Sequence, residues 1–219
     1  MTNRRHFLRQ LAAAGLLGNL SLLTQRVLAA GSKPPSPGIY RVSGEVTING
    51  KPAVPGMLVR PGDTVVTGAN SEAIYVVGQD AYLQRSHSSV RLLGETVTSG
   101  LRVLTGKLLS VFGKGEKNIQ TGTATIGIRG TGCYIEAEAE RMYICLCYGE
   151  ADYLPTVAPE KAMRLKTTHH ESPMWISATD KNMPISKAPM MNHSDAELTL
   201  LESLVGREPP FAGKGLGGY

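Results

Sequence analysis

Three cysteines and one pair of adjacent histidines carry most of the chemistry this chain offers. Cys133, Cys145 and Cys147 fall close together, and His169 and His170 follow some twenty residues on. On an extended strand Cys145 and Cys147 project to the same side with Cα atoms about 6.5–7 Å apart. Disulfide geometry needs roughly 4.4–6.8 Å, so a bond between them requires a local kink. Two thiolates on one face can instead turn toward a single ion at bonds of about 2.3 Å. Cys145, Cys147, His169 and His170 therefore make a candidate zinc or copper set, which would suit a metal-binding or redox protein. The same residues also read as small buried apolar cysteines and a polar histidine pair on a loop. Adjacent histidines on a strand point to opposite faces, and Cys-x-Cys is tighter than the usual Cys-x2-Cys loop. An odd number of cysteines leaves one unpaired if the compartment is oxidising.

No catalytic constellation accompanies this set. Ser86-His87-Ser88-Ser89 and the scattered acids show no spacing that implies a triad or a carboxylate pair. The glycines from Gly127 to Gly132 are not a phosphate loop, because no Lys-Ser/Thr pair follows and no helix opens there. The expectation is a protein without catalytic residues.

The cysteines must be positioned by residues 122–154. Two runs rich in β-branched and aromatic residues flank a charged turn around Glu138 to Arg141, which predicts a hairpin. Cys133, Ile135 and Ala137 share one face of its first arm, with Tyr134 and Glu136 opposite. On the second arm Ile144 and Leu146 share the face expected to meet the core, and Cys145 and Cys147 point away from it together. Glycines 127, 130 and 132 mark bends, bulges or close backbone approach.

The hairpin also carries a family resemblance. Ile126-Gly127-Ile128-Arg129-Gly130-Thr131-Gly132-Cys133-Tyr134-Ile135, then a charged turn and a strand ending in Tyr148-Gly149-Glu150-Ala151, resembles the end of a FecR domain. Val42 to Gly50, with its Asn49-Gly50 turn, is similar to that family's opening strand, and Pro61 to Ala73 to its most recognisable block. The resemblance covers about residues 40–155. It implies a β domain that binds or senses on the periplasmic side and, in the family's membrane-spanning regulators, signals inward to a sigma factor. This chain is expected to lack the N-terminal cytoplasmic helical domain of those regulators, which leaves periplasmic recognition or scaffolding with a protein or envelope component.

The N-terminus reads as a targeting segment. Asn3-Arg4-Arg5-His6-Phe7-Leu8 resembles a twin-arginine export signal, an uncharged run spans Leu11 to Leu23, and Val27-Leu28-Ala29 offers a cleavage site. The uncharged run is shorter than the about 20 residues a spanning helix needs. A periplasmic or otherwise exported protein with no transmembrane helix after cleavage is expected. Removing the leader's four arginines from 23 basic side chains leaves 19 against 18 acidic ones, a net of +1. The basic balance thus belongs to the leader, and nucleic acid is not an expected partner.

The remaining sequence predicts an all-β fold of short strands, at 39–48, 64–67, 73–77, 89–93, 101–104, 107–112, 116–120 and 123–128, separated by Gly, Asn or Asp turns. Echoes such as Gly44-Glu45-Val46-Thr47 with Gly94-Glu95-Thr96-Val97-Thr98 favour a β-solenoid-like or β-roll arrangement, with a β-sandwich as the alternative. The expected organisation is a leader at 1–29, a linker at 30–38, the FecR-like β domain at 39–155, and a β extension with an irregular segment at 156–193. A C-terminal helix at 194–206 opens with the capping box Ser194-Asp195-Ala196-Glu197 and carries a leucine stripe, and a flexible glycine-rich tail occupies 207–219.

Overall fold

The computed structural model describes residues 36–94 and 100–214. The expected leader and cleavage site, most of the expected linker and the end of the expected tail lie outside those residues. The described chain is all-β with one helix, as its turn-rich, strand-period sequence predicts. In order it forms β1 (Gly38–Ser43), β2 (Val46–Ile48), β3 (Lys51–Pro52), β4 (Thr64–Thr67), β5 (Glu72–Val77), β6 (Asp80–Gln84) and β7 (Ser88–Leu93). Then follow β8 (Gly100–Val111), β9 (Glu116–Gln120), β10 (Ala124–Ala137), β11 (Arg141–Pro155), β12 (Met163–Thr167), β13 (Met174–Ser177), β14 (Ile185–Lys187) and the helix α1 (Asp195–Leu204).

These strands join one open sheet. Its ladders are antiparallel except for a short parallel pairing of Gly100–Arg102 in β8 with Asn118–Gln120 in β9. Stacking of parallel rungs, the signature of a strict solenoid, is confined to that one ladder among the described residues. The Asn49-Gly50 pair closes the β2–β3 hairpin with φ of 51° and 77°, both left-handed, which a two-residue turn of this kind requires. Strand β6 was not expected from sequence. All five of its residues are buried, so it shows no inside–outside alternation. The two strands expected at 101–104 and 107–112 are one continuous strand, β8, which pairs with β7 along its first half and with β6 and β10 along its second.

The long hairpin of β10 and β11 is the spine of the sheet. Its register runs from Ala124 opposite Pro155 to Ala137 opposite Met142, with shifts on either side of Gly132. There the chain passes under Tyr148: a Cβ on Gly132 would lie 2.5 Å from that ring, so only glycine fits. One face of the hairpin, with Cys133, Ile135, Ile144 and Leu146, enters an aliphatic core shared with Val65, Val90, Leu101, Val103 and Ile126. The other face, with Tyr134, Tyr143, Cys145 and Cys147, is also buried, in a second core that includes Leu198, Leu201 and Phe211. Sequence alternation thus separates two cores, one on each side of the sheet. The cover on the second side is the C-terminal extension.

Helix α1 is set by its cap. The Ser194 hydroxyl accepts from the Glu197 amide, and the Glu197 carboxylate accepts from the Ser194 amide at 3.0 Å, closing the expected capping box. Such a cap is worth about 1 kcal/mol. Past Val205 the chain leaves the helix through Gly206 at φ 69°. The segment expected to be flexible from 207 onward begins anchored. Arg207 donates to Glu202 at 2.6 Å, and Phe211 is buried against Tyr148 and His169.

Leu201 is fully buried between helix and sheet. Leu201→Ala should therefore lower unfolding free energy by about 2–5 kcal/mol in a denaturant titration. A loss under about 0.5 kcal/mol, the range of surface substitutions, would show that the helix only rests on the sheet.

Candidate metal centre

The second core holds the cysteine pair, and each neighbour is brought to it by an identifiable local feature. Cys145 and Cys147 sit on β11 between the stretch paired with β13 (Arg141–Ile144) and the stretch paired with β12 (Gly149–Tyr153). The turn between β12 and β13 fills that gap. Thr167 donates its hydroxyl to the Leu146 carbonyl at 2.7 Å, and the His170 amide donates to the Cys147 carbonyl at 3.0 Å. Glu171 ties the turn by accepting from the amides of Thr168 and His169 at 2.8 and 2.9 Å. Burial raises the Glu171 carboxyl pKa, but these bonds and the Thr168 hydroxyl outweigh it and hold the group down at about 2. His170 itself takes a left-handed φ of 57°, so the chain reverses there and the two adjacent imidazoles come together on one side.

The fourth neighbour is His193, which no spacing in the sequence singles out. It stands just ahead of the Ser194 cap, so helix α1 fixes its position. The segment before it is pinned to the hairpin: the Met191 amide donates to the Tyr143 hydroxyl at 3.3 Å and the Asn192 side chain to Glu136 at 2.7 Å. The Arg85 guanidinium donates to the Asn192 carbonyl and to Glu197, joining the segment to the loop after β6. The His193 ring stacks on Tyr134 at 4.8 Å.

The result is a compact set of four ligand atoms. Cys145 Sγ lies 3.4 Å from His170 Nδ1, Cys147 Sγ lies 3.4 Å from His193 Nε2, and the two ring nitrogens are 3.1 Å apart. All four atoms are within 4.8 Å of one another. The cysteines are 0% exposed, His170 5% and His193 7%, so bulk water does not reach the set.

The outer nitrogens are also engaged. His193 Nδ1 donates to the Met191 carbonyl at 2.8 Å, and His170 Nε2 donates to the Asp195 carboxylate at 3.0 Å. A carbonyl and a carboxylate only accept, so in the neutral rings the inward nitrogens, His193 Nε2 and His170 Nδ1, present lone pairs to the cysteines. Asp195 also accepts from His169 Nε2 at 2.9 Å. Hydrogen bonding from the neighbouring Cys147 thiol draws the Cys145 thiol down to about 4 against the effect of burial, with His170 and His193 adding to the lowering. Burial, foremost, pushes Cys147 well up. Burial disfavours a charged His170, yet Cys145 and Asp195 outweigh it and raise its pKa.

Of the four residues expected as ligands, the structure brings Cys145, Cys147 and His170 together. His169 is directed to Asp195 and Phe211, and His193 occupies the fourth place. Cys133 lies on the opposite face of the sheet among aliphatic side chains, where burial raises its pKa. All three cysteines are free thiols. Among the described residues no helix is long and apolar enough to cross a membrane.

Comparison with known proteins adds little here. No family model matches the chain, and no curated protein does. Two crystal structures of a candidate anti-sigma factor from Parabacteroides distasonis are similar to it at 15% identity and a TM-score of 0.48. Each match covers 57% of this chain and 58% of that one. The matched part is a little over half of either chain, and a likeness at that level carries nothing about activity or partner.

The burial of the thiols makes an immediate expectation. In reduced, folded protein none of the three cysteines should react with a thiol-specific chromogenic disulfide reagent over the time in which denatured protein releases three equivalents. Rapid reaction of two thiols in the native state would mean that the cover over Cys145 and Cys147 does not stay closed.

Proposed function

We propose that this chain is an exported, non-catalytic FecR-type module that acts by contact with a protein or envelope component in the periplasm. One observation carries the reading: the densest chemistry among the described residues, the Cys145/Cys147/His170/His193 cluster, is sealed between sheet and cover, with no group free to meet a substrate. A surface cavity of about 580 Å³ is lined by Arg41, Glu72, Arg85 and Ser86, but its charges are paired: Arg41 and Arg85 both pair with Glu72, and Arg85 also with Glu197 on the helix. No nucleophile stands beside a base there.

The blocks that resemble the FecR domain support the same reading by where they fall. Asn49-Gly50 makes the β2–β3 turn, Pro61 to Ala73 makes the turn into β4, β4 itself and the passage into β5, and Ile126 to Ile135 makes the bulged centre of β10. Each block does a geometric task of the sheet rather than a chemical one. The module's outer surface offers exposed apolar side chains for contact, among them Tyr40, Leu104 and Met183.

The test is made in living cells. A photo-crosslinking residue at Tyr40, Leu104 or Met183 should give discrete adducts from at least one position in exported protein. Replacing both Arg4 and Arg5 by Lys should hold the precursor in the cytoplasm and abolish those adducts. Undiminished mature protein in the periplasm after the double replacement would remove the twin-arginine reading. Absence of adducts at all three positions in exported protein would contradict a function by contact at these exposed side chains.

A further inference from the structure

We propose that Cys145, Cys147, His170 and His193 bind one zinc ion that fastens the C-terminal extension to the sheet. The inference stands on the side chains themselves and does not depend on the partner reading above. Three observations point the same way.

The first is the geometry. Zinc in a tetrahedral Cys2His2 site has bonds of about 2.3 Å to sulfur and about 2.0–2.1 Å to nitrogen, which sets ligand separations of roughly 3.3 Å for N···N and roughly 3.5 Å for S···N. The separations here are 3.1 Å between ring nitrogens and 3.4 Å for the Cys145–His170 and Cys147–His193 pairs, with all four ligand atoms within 4.8 Å of one another. One ion suits them. A two-iron cluster held by two cysteines and two histidines would draw the thiolate pair away from the imidazole pair. Here each sulfur abuts a ring nitrogen.

The second is the direction of the lone pairs. With both outer nitrogens committed as donors to an acceptor, the inward nitrogens face each other without a hydrogen between the neutral rings. A cation between them converts that repulsion into two bonds. Ligating histidines hold their other N–H on a carbonyl or carboxylate in the same manner, which fixes tautomer and ring orientation. Asp195 is thus a positioning residue for His170, and His169 supports Asp195 from outside. Neither reaches the four-atom set.

The third is charge and closure. Two thiolates neutralise a divalent ion, which lets a buried centre form without a net charge in the core. Four protein ligands in a tetrahedron leave no open position, and a mixed S2N2 set of that shape suits zinc. The ligands also come from three separate stretches: β11, the turn after β12, and the residue before the α1 cap. The ion closes a link from Cys147 to His193 across the second core and holds the cover in place.

Cobalt(II) titrated into the reduced, metal-stripped protein tests this. One equivalent should give the intense visible bands of a tetrahedral ion and a thiolate charge-transfer band, and one equivalent of zinc should abolish both. His193→Ala should weaken binding by more than about a hundredfold, since it deletes a ligand. His169→Ala should keep the one-equivalent spectrum and lose at most about tenfold, the lower end of the range for an outer partner, because it acts only through Asp195. Should His193→Ala fail to fold, His193→Cys restores a ligand and should bind one cobalt with stronger thiolate charge transfer. The proposal is overturned if the folded protein takes up no cobalt or zinc at stoichiometry, or binds only copper(I). It is equally overturned if His169→Ala abolishes binding while His193→Ala does not.

Discussion

Residues Met142 to Tyr148 of β11 have water on neither side, and the rest of the molecule is arranged around that constraint. A strand with one wet face can stop at a sheet. A strand with two dry faces needs a layer on each. The first layer is aliphatic and comes from other strands of the same sheet, whose Val65, Val90, Leu101 and Ile126 share one core with Ile144 and Leu146. The second must be supplied by chain that follows β11. That is why the extension after residue 155 does not simply trail away but returns over Tyr143, Cys145 and Cys147. Each fully buried Leu of α1 contributes about 1.5–3 kcal/mol to holding it there.

Apolar burial alone does not account for the polar groups sealed under that cover. Cys147, His170, His193 and, at their edge, Asp195 are costly to withdraw from water unless each finds a partner. The hydrogen bonds to Met191 and Asp195 satisfy the outer nitrogens. The inner atoms are satisfied together by an ion or, less completely, by thiol-to-imidazole bonds that leave two nitrogens 3.1 Å apart. Further polar clamps, Arg85 on Glu197 and Tyr148 with Arg207 on Glu202, distribute the attachment along α1. The proposed metal centre would thus be one fastening among several.

Much of this was legible in the sequence because period-2 alternation is a local signal. The faces of β10 and β11, and with them the common direction of Cys145 and Cys147, follow from the order of residues. So do the Asn49-Gly50 turn and the capping box at Ser194. What escaped was non-local or non-periodic. β6, buried on both sides, carries no alternation. The divergence expected of adjacent histidines assumes extended backbone, and the left-handed His170 breaks that assumption. His193 lies in an irregular stretch 46 residues beyond Cys147, so spacing gave no hint of it. A signal did exist: it is the residue next to a strong helix cap, and a leucine-striped helix has only the cysteine face of the hairpin left to cover.

Two sulfurs of β11 and two nitrogens from the extension are proposed to share one zinc ion. X-ray absorption at the zinc edge, on protein isolated from the periplasm without added metal, reads that shell directly. One zinc per chain is expected, with two sulfurs at about 2.3 Å and two nitrogens at about 2.0–2.1 Å, the nitrogens showing imidazole scattering. A shell of nitrogen and oxygen alone, or protein isolated folded and without stoichiometric zinc, would contradict it.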